Sequence, residues 1–266
     1  MPALQALYYP GAKSRQRDLI LPHLLPLLRD ADEFREPFLG SGVIGLAVMA
    51  RCPHLSFWLN DRDAAVTCLW WALRYRAPEL VKLIEAFEPN PDAFYAFQTE
   101  LDQLCNCPDD PADIVRIGFV KFTLHQISHS GYGSGVRGGK QELHTKIAAR
   151  WKVDRIVKRT LLIANRLSRC DVKITGHDWS RVMQNEQGIR VLFYFDPPYL
   201  MDNPEWQQNY YRHAFADEDH ARLAEFLKQS PHSWALTLGD HYKAHQLYNW
   251  AKIMRIGTRV LLITRE

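Results

Sequence analysis

Val191-Leu192-Phe193-Tyr194-Phe195-Asp196-Pro197-Pro198-Tyr199 is the stretch from which the fold is read. Its first five residues form a continuous apolar run bounded by polar sequence. This predicts a strand buried on both faces, as in a parallel sheet. The strand ends on a carboxylate. Two prolines then fix φ and remove two backbone donors, and an aromatic ring closes the turn. Open α/β sheets bind ligands beyond the carboxyl ends of their strands, and Asp196 stands at such an end.

The tetrapeptide suits one kind of chemistry. An exocyclic amine such as adenine N6 is a poor nucleophile, because its lone pair is delocalised into the ring. Two acceptors placed on its two hydrogens draw the nitrogen towards a tetrahedral state and free that lone pair. Asp196 can supply one acceptor and the Pro197 carbonyl the other, with Pro198 keeping the turn rigid. The Tyr199 ring can stack on a flat base. The competing explanation is an acidic helix cap followed by prolines in a tight turn, but it accounts for neither the tyrosine nor the buried strand.

Upstream, Phe34-Arg35-Glu36-Pro37-Phe38 predicts a first strand. Gly40-Ser41-Gly42-Val43-Ile44-Gly45 follows as a G-x-G-x-x-G sequence opening a helix through Arg51. Such glycines permit a tight turn and close approach of backbone to ligand. The next strand, Leu55 to Leu59, runs into Asn60-Asp61. Asp61 lies about 20 residues past the glycines, where a ribose-binding carboxylate belongs. The pair predicts a site for a nucleoside-bearing cofactor, and NAD, FAD and S-adenosyl-L-methionine all satisfy it. Lys13, in a turn before a helix interrupted at Pro22 and Pro26, could hold a ligand carboxylate. Val172 to Ile174 predicts a third strand, with Asp178 beyond it, where it could meet a cofactor's adenine.

Ala64 to Leu104 is helical in pattern, broken at Pro78 and at Pro89 to Pro91, and Asp113 to Ile127 continues it. Trp70 and Trp71 are expected to pack. The texture changes at Gly131 to Gly139, which holds five of the fourteen glycines. Between Arg137 and Arg169 ten Lys or Arg face two acids, a local balance of +8 in a chain whose net charge is +3. A glycine-rich loop leading into basic sequence is suited to a phosphate backbone. Leu200 to Phe215 is expected to be a loop, and Asp217 to cap a helix through Gln229. Trp234 to Leu238 and Val260 to Thr264 complete the strands. Strands alternating with helices predict a doubly wound α/β domain of residues 1–75 and 166–266, with a mostly helical insertion at 76–165.

The remaining features exclude other classes. With 47% hydrophobic and 24% charged residues the composition is globular. No apolar run approaches the ~20 residues of a membrane span, and the N-terminus lacks the pattern of a signal peptide. The odd, scattered set of five cysteines predicts reduced thiols in a cytoplasmic setting. Cys105-Asn106-Cys107 lacks a second pair, and His241 and His245 lack a third ligand, so no metal is expected.

The ordered set Tyr9-Pro10-Gly11-Ala12-Lys13, Glu36 to Gly42, Asn60-Asp61, Asp178-Trp179, Asp196 to Tyr199 and the closing apolar strand resembles the Dam-like N6-adenine DNA methyltransferases of alpha order. The pieces cover nearly the whole chain, and their order is more specific than any one of them. The resemblance implies a bacterial or phage-encoded enzyme. It would transfer methyl from S-adenosyl-L-methionine to N6 of a flipped adenine in double-stranded DNA, as a monomer or weak dimer, through a Rossmann-like sheet with an inserted target-recognition domain. It implies that Phe38, Gly40, Ser41 and Gly42 line the methionine end of the cofactor and that Tyr9 and Lys13 help to close that pocket. Asp61 would take the ribose hydroxyls and Asp178 the cofactor's adenine amine. Asp196, Pro197, Pro198 and Tyr199 would hold the target adenine, and Asp196 would also border the cofactor. Ala12 stands where the family usually has a second glycine. Gly131 to Arg137 lacks the Asn-Gly-Leu-x-Arg pattern of GATC-specific members and is closer to the Ser-Gly variants of phage and plasmid members. GATC therefore does not transfer, and Tyr132, Arg137 and Lys140 are the candidate DNA contacts. An RNA or protein-amide methyltransferase shares the tetrapeptide logic, although amide-modifying relatives usually carry Asn in place of Asp196. An NAD-dependent oxidoreductase would leave Asp-Pro-Pro-Tyr unexplained.

Overall fold

The computed structural model describes residues 3–7, 13–104, 106–128, 131, 133, 147–184, 189–203, 211–257 and 260–265. Seven strands form one sheet in the order β3-β2-β1-β4-β5-β7-β6. They are β1 (Glu33–Glu36), β2 (Ser56–Asn60), β3 (Asp171–Thr175), β4 (Val191–Phe195), β5 (Ser233–Gly239), β6 (Lys252–Ile256) and β7 (Val260–Thr264). Strands β1 to β5 pair in parallel, whereas β7 runs antiparallel between β5 and β6. The mixed α/β architecture is Rossmann-like, as expected from the sequence.

The centre of the sheet is buried on both faces, whereas the edge strands β3 and β6 are partly exposed, and strand alternation sorts the residues between two cores. On β4, Leu192 and Tyr194 join one core while Val191, Phe193 and Phe195 join the other. Strand β5 divides likewise, with Ala235 on the first side and Trp234, Leu236 and Leu238 on the second. A run of apolar residues without polar alternation is what two covered faces require.

The helices are α1 (Arg17–Leu28), α2 (Val43–Met49), α3 (Ala64–Tyr75), α4 (Ala77–Ala86), α5 (Pro91–Asp102), α6 (Pro111–Ile127), α7 (Val153–Ser168), α8 (Trp179–Val182), α9 (Asp217–Gln229) and α10 (Tyr242–Leu247). The expected interruption of α1 does not occur, and the helix runs through Pro22 and Pro26. Both prolines lie on its exposed side, where water can satisfy the carbonyls they strand. Buried Ile20, Leu21, Leu24 and Leu28 hold the other side. Helix α9 begins one position earlier than expected. Ala216 is its N-cap, and Asp219 rather than Asp217 reaches back to accept from the Ala216 amide at 3.2 Å. Strand β6 was not anticipated. Its sequence, Lys252-Ile253-Met254-Arg255-Ile256, alternates only partly, and pairing with β7 holds it in place.

Helices α4 to α7 fall between β2 and β3 in the chain, and their buried residues belong to the same core as β1, β2, α2 and α3. At the α3–α6 crossing, a Cβ on Gly118 would lie 2.8 Å from the Leu69 Cα and 2.9 Å from its nitrogen. The absence of a side chain therefore sets how closely these helices approach. The Cys68 and Cys107 sulfurs stand 2.8 Å apart as free thiols. The hydrogen bond to Cys107, together with burial, keeps Cys68 protonated.

Candidate active site

The chain leaves β1 for one side of the sheet through β2 and β3, and returns through β4 to build the other side. The strand order therefore reverses between β1 and β4, and a crevice opens at that switch point. A cavity of about 410 Å³ lies beyond these two carboxyl ends. Its lining includes Glu36 to Ser41 from the first crossover, Asp61 to Asp63 beyond β2, Asp196 to Tyr199 beyond β4, and Tyr211 to Phe215 from the loop before α9.

The glycine loop is shaped from below. Gly42 has φ +64°, and a Cβ there would lie 2.2 Å from the Trp70 ring. Trp70 is fully buried and donates its indole N–H to the Gly40 carbonyl at 3.0 Å. Its role as a floor for the loop escaped the sequence reading, in which a tryptophan on a helix is ordinary core. Ala6 pairs with the Ser41 carbonyl at 3.0 Å and ties the N-terminal segment to the loop. Phe38 meets Phe215 edge-on at 5.3 Å and Phe195 at 6.4 Å.

Asp61 accepts from the Gly40 amide at 2.7 Å and from the Asp63 amide at 2.9 Å. Burial first, and then the neighbouring Asp63 charge, push its pKa up to about 6. Asp63 caps α3 and pairs with Lys121 at 2.8 Å. Asn60 is fully buried and binds four groups. Its Nδ2 donates to the Pro37 and His177 carbonyls, and its Oδ1 accepts from Thr175 and the His177 amide. It clamps the ends of β1, β2 and β3 together beneath the cavity.

Glu36 is buried and accepts from the Gly45 amide at 3.0 Å. A Cβ on Gly45 would come within 2.4 Å of that carboxyl oxygen, so the contact depends on glycine. Burial, followed by the Asp196 charge, drives the Glu36 pKa well above the usual carboxylate range. The neutral form of this acid in the cavity wall is therefore favoured over the charged one. An acid at the end of the first expected strand was the signal available in the sequence, and the rise in its pKa depends on its burial and on the Asp196 charge.

At the other end, Lys13 Nζ pairs with Asp196 Oδ1 at 2.7 Å and lies 4.7 Å above the Tyr199 ring. Lys13 thus sits on the Asp-Pro-Pro-Tyr turn. Tyr199 packs against Gly239, where a Cβ would approach its ring to 3.1 Å. His220 of α9 is buried against Phe215 with ring centroids 4.6 Å apart. Burial lowers its pKa to about 4, against the favourable contribution of the Pro198 carbonyl. Arg212 crosses from the cavity lining to the Leu101 and Leu104 carbonyls at the end of α5.

Of the residues singled out from sequence, the cavity brings together Lys13, Phe38, Gly40, Ser41, Asp61, Asp196, Pro197, Pro198 and Tyr199. Gly42 supports the loop from behind. Asp178 stands aside from the lining. It caps α8, with Oδ1 accepting from the Ser180 amide and hydroxyl and Oδ2 3.8 Å from Arg62, while its neighbour Trp179 lines the cavity. Tyr9, Tyr132, Arg137 and Lys140 lie outside the described residues. His241 and His245 face separate carboxylates, Asp202 and Asp240. Among the described residues no three His, Cys, Asp or Glu side chains group as a metal site, and no helix is long and apolar enough to cross a membrane.

A search of curated proteins finds no match. A family match does span the chain, over residues 9–261. It includes the glycine loop, the helices between β2 and β3, the Asp-Pro-Pro-Tyr turn and β6, and ends at the start of β7. The chain belongs to the D12 class N6 adenine-specific DNA methyltransferases, enzymes that transfer a methyl group to adenine in DNA.

Proposed function

We propose that the methyl donor is S-adenosyl-L-methionine and that the acceptor is an adenine flipped out of double-stranded DNA. The observation that supports this most is the continuity of one cavity from the glycine loop and Asp61 to Asp196 and Tyr199. Donor and acceptor could meet there.

The residues fit a nucleoside-bearing donor. The loop at Gly42 has no room for a Cβ, and Asp61 is a half-buried acceptor bonded to the loop at the Gly40 amide. When bound, S-adenosyl-L-methionine would supply an electrophilic methyl on a sulfonium. Asp61 would accept from ribose hydroxyls, Phe38, Gly40 and Ser41 would flank the methionine end, and Tyr9 would help to close it. Asp178 would offer Oδ2 to the donor's adenine amine. Asp196 and the Pro197 carbonyl would accept the two N6 hydrogens of the target, and Tyr199 would present its ring to the base. Positioning and fixed dipoles would supply most of the rate. A base of tuned pKa is not required, because N6 becomes acidic once methylated.

In this reading residues 1–75 and 166–266 carry the chemistry and 76–165 carry target recognition. Tyr132, Arg137 and Lys140 would contact DNA, and the local charge of +8 supports that assignment. The enzyme would act as a monomer or weak dimer in the cytoplasm of a bacterial host.

The test is transfer of labelled methyl from S-adenosyl-L-methionine to unmethylated duplex DNA, with Asp196→Ala in parallel. The wild type should yield N6-methyladenine, and the variant should be slower by about 10²-fold or more. A wild type that binds the donor and modifies no duplex would sink the reading.

A further inference from the structure

Thr237 lies inside β5 and is fully buried among apolar neighbours. A hydroxyl in that setting is costly unless it is bonded. Its partners are specific. Thr237 Oγ1 lies 2.8 Å from Asp196 Oδ1, 2.9 Å from the Tyr194 hydroxyl and 3.3 Å from the Phe195 carbonyl. Tyr194 is itself fully buried on β4. Strands β4 and β5 pair as Tyr194 with Ala235 and Phe195 with Leu236, so Thr237 stands one step beyond the last pair, beside Asp196. The Tyr199 hydroxyl adjoins the same carboxylate and threonine.

A hydroxyl has one hydrogen to give. If Tyr194 donates to Thr237, Thr237 is free to donate to Asp196, and the chain of bonds runs towards the carboxylate. Such aligned bonds strengthen one another in a low-dielectric interior. Lys13 Nζ approaches the same oxygen, Oδ1, at 2.7 Å. Two donors on one carboxylate oxygen occupy both of its lone pairs.

We propose that Thr237, backed by Tyr194, is a positioning residue for the methyl acceptor: it pins Asp196 through Oδ1 so that Oδ2 is presented to the target amine. This rests on the proposed role of Asp196 in holding adenine N6. Rotation of the carboxylate about χ2 would aim Oδ2 away from the amine. Misplacement on that scale lowers reaction rates by up to about 10²-fold.

The test compares wild type, Thr237→Val, Thr237→Ser and Tyr194→Phe in single-turnover methyl transfer to duplex DNA, with KM for S-adenosyl-L-methionine measured for each. Valine keeps the shape and removes the hydroxyl, while serine keeps the hydroxyl. The T237V rate should fall at least about tenfold with KM within about twofold of wild type. T237S should recover most of the rate, and Y194F should fall between wild type and T237V. A T237V rate within twofold of wild type overturns the proposal, as does T237S as slow as T237V. A crystal structure of T237V tests the same point without activity. The Asp196 carboxylate should be rotated from its wild-type orientation, and an unmoved carboxylate overturns the proposal. Failure of the function itself would show separately, as a wild type that methylates no adenine.

Discussion

Asp61 carries two tasks with one carboxylate. It bonds the Gly40 and Asp63 amides, and in the proposed complex it faces ribose hydroxyls. Folding raises its pKa from 3.8 to about 6. Ionised Asp61 therefore costs the ligand-free chain stability as pH rises through 6, and a ligand bearing hydroxyl donors relieves that cost. Below pH 6 the protonated group is a poorer acceptor. Calorimetric affinity for S-adenosyl-L-methionine should be about tenfold weaker at pH 5 than at pH 7.5. Asp61→Asn should bind weakly at both values and lose most of that pH dependence. An unchanged slope in the variant would remove Asp61 from ligand binding. The candidates at this scale were legible in the chain, because Asp196 to Tyr199 and Gly40 to Gly42 are marked by their local order. Glu36, Trp70 and Thr237 were not, because each acts through a neighbour distant in sequence.

At the scale of elements, α3 connects the two halves of the site. Its N-cap Asp63 borders the cavity, and its Trp70 supports the glycine loop. Its position depends on the close crossing with α6 at Gly118, where the nearest atoms are backbone and cannot swing aside. Gly118→Ala should force the helices apart and lower stability by about 1–3 kcal/mol. Urea unfolding measures this, and an unchanged midpoint would show that the crossing yields at no cost. The same shift should weaken binding of the methyl donor, because Trp70 moves with its helix. The pattern of apolar residues located nearly every helix and strand of the described chain. It misjudged α1, where prolines on a solvent-facing side are tolerated, and it missed β6, whose conformation depends on its partner β7.

On the scale of the whole molecule, the helices between β2 and β3 share one continuous core with β1, β2 and α3. Arg212 links the cavity loop to the end of α5. Unfolding of one part therefore strips apolar cover from the other. Scanning calorimetry should show a single thermal transition for the catalytic sheet and the helices between β2 and β3, and two resolved transitions would refute that coupling. The sequence by itself determined the class of fold and the end of the sheet where the cavity opens, because hydrophobic period, glycine and proline act locally along the chain. It also supplied the residues proposed to meet an amine and a ribose. Only the tertiary structure decided that Lys13 lies on Asp196, that burial raises the Glu36 pKa, that Asp178 stands outside the cavity lining and that Thr237 bonds the Asp196 carboxylate. Those facts depend on distance and burial between segments up to about 180 residues apart in the chain, and local patterning does not encode them.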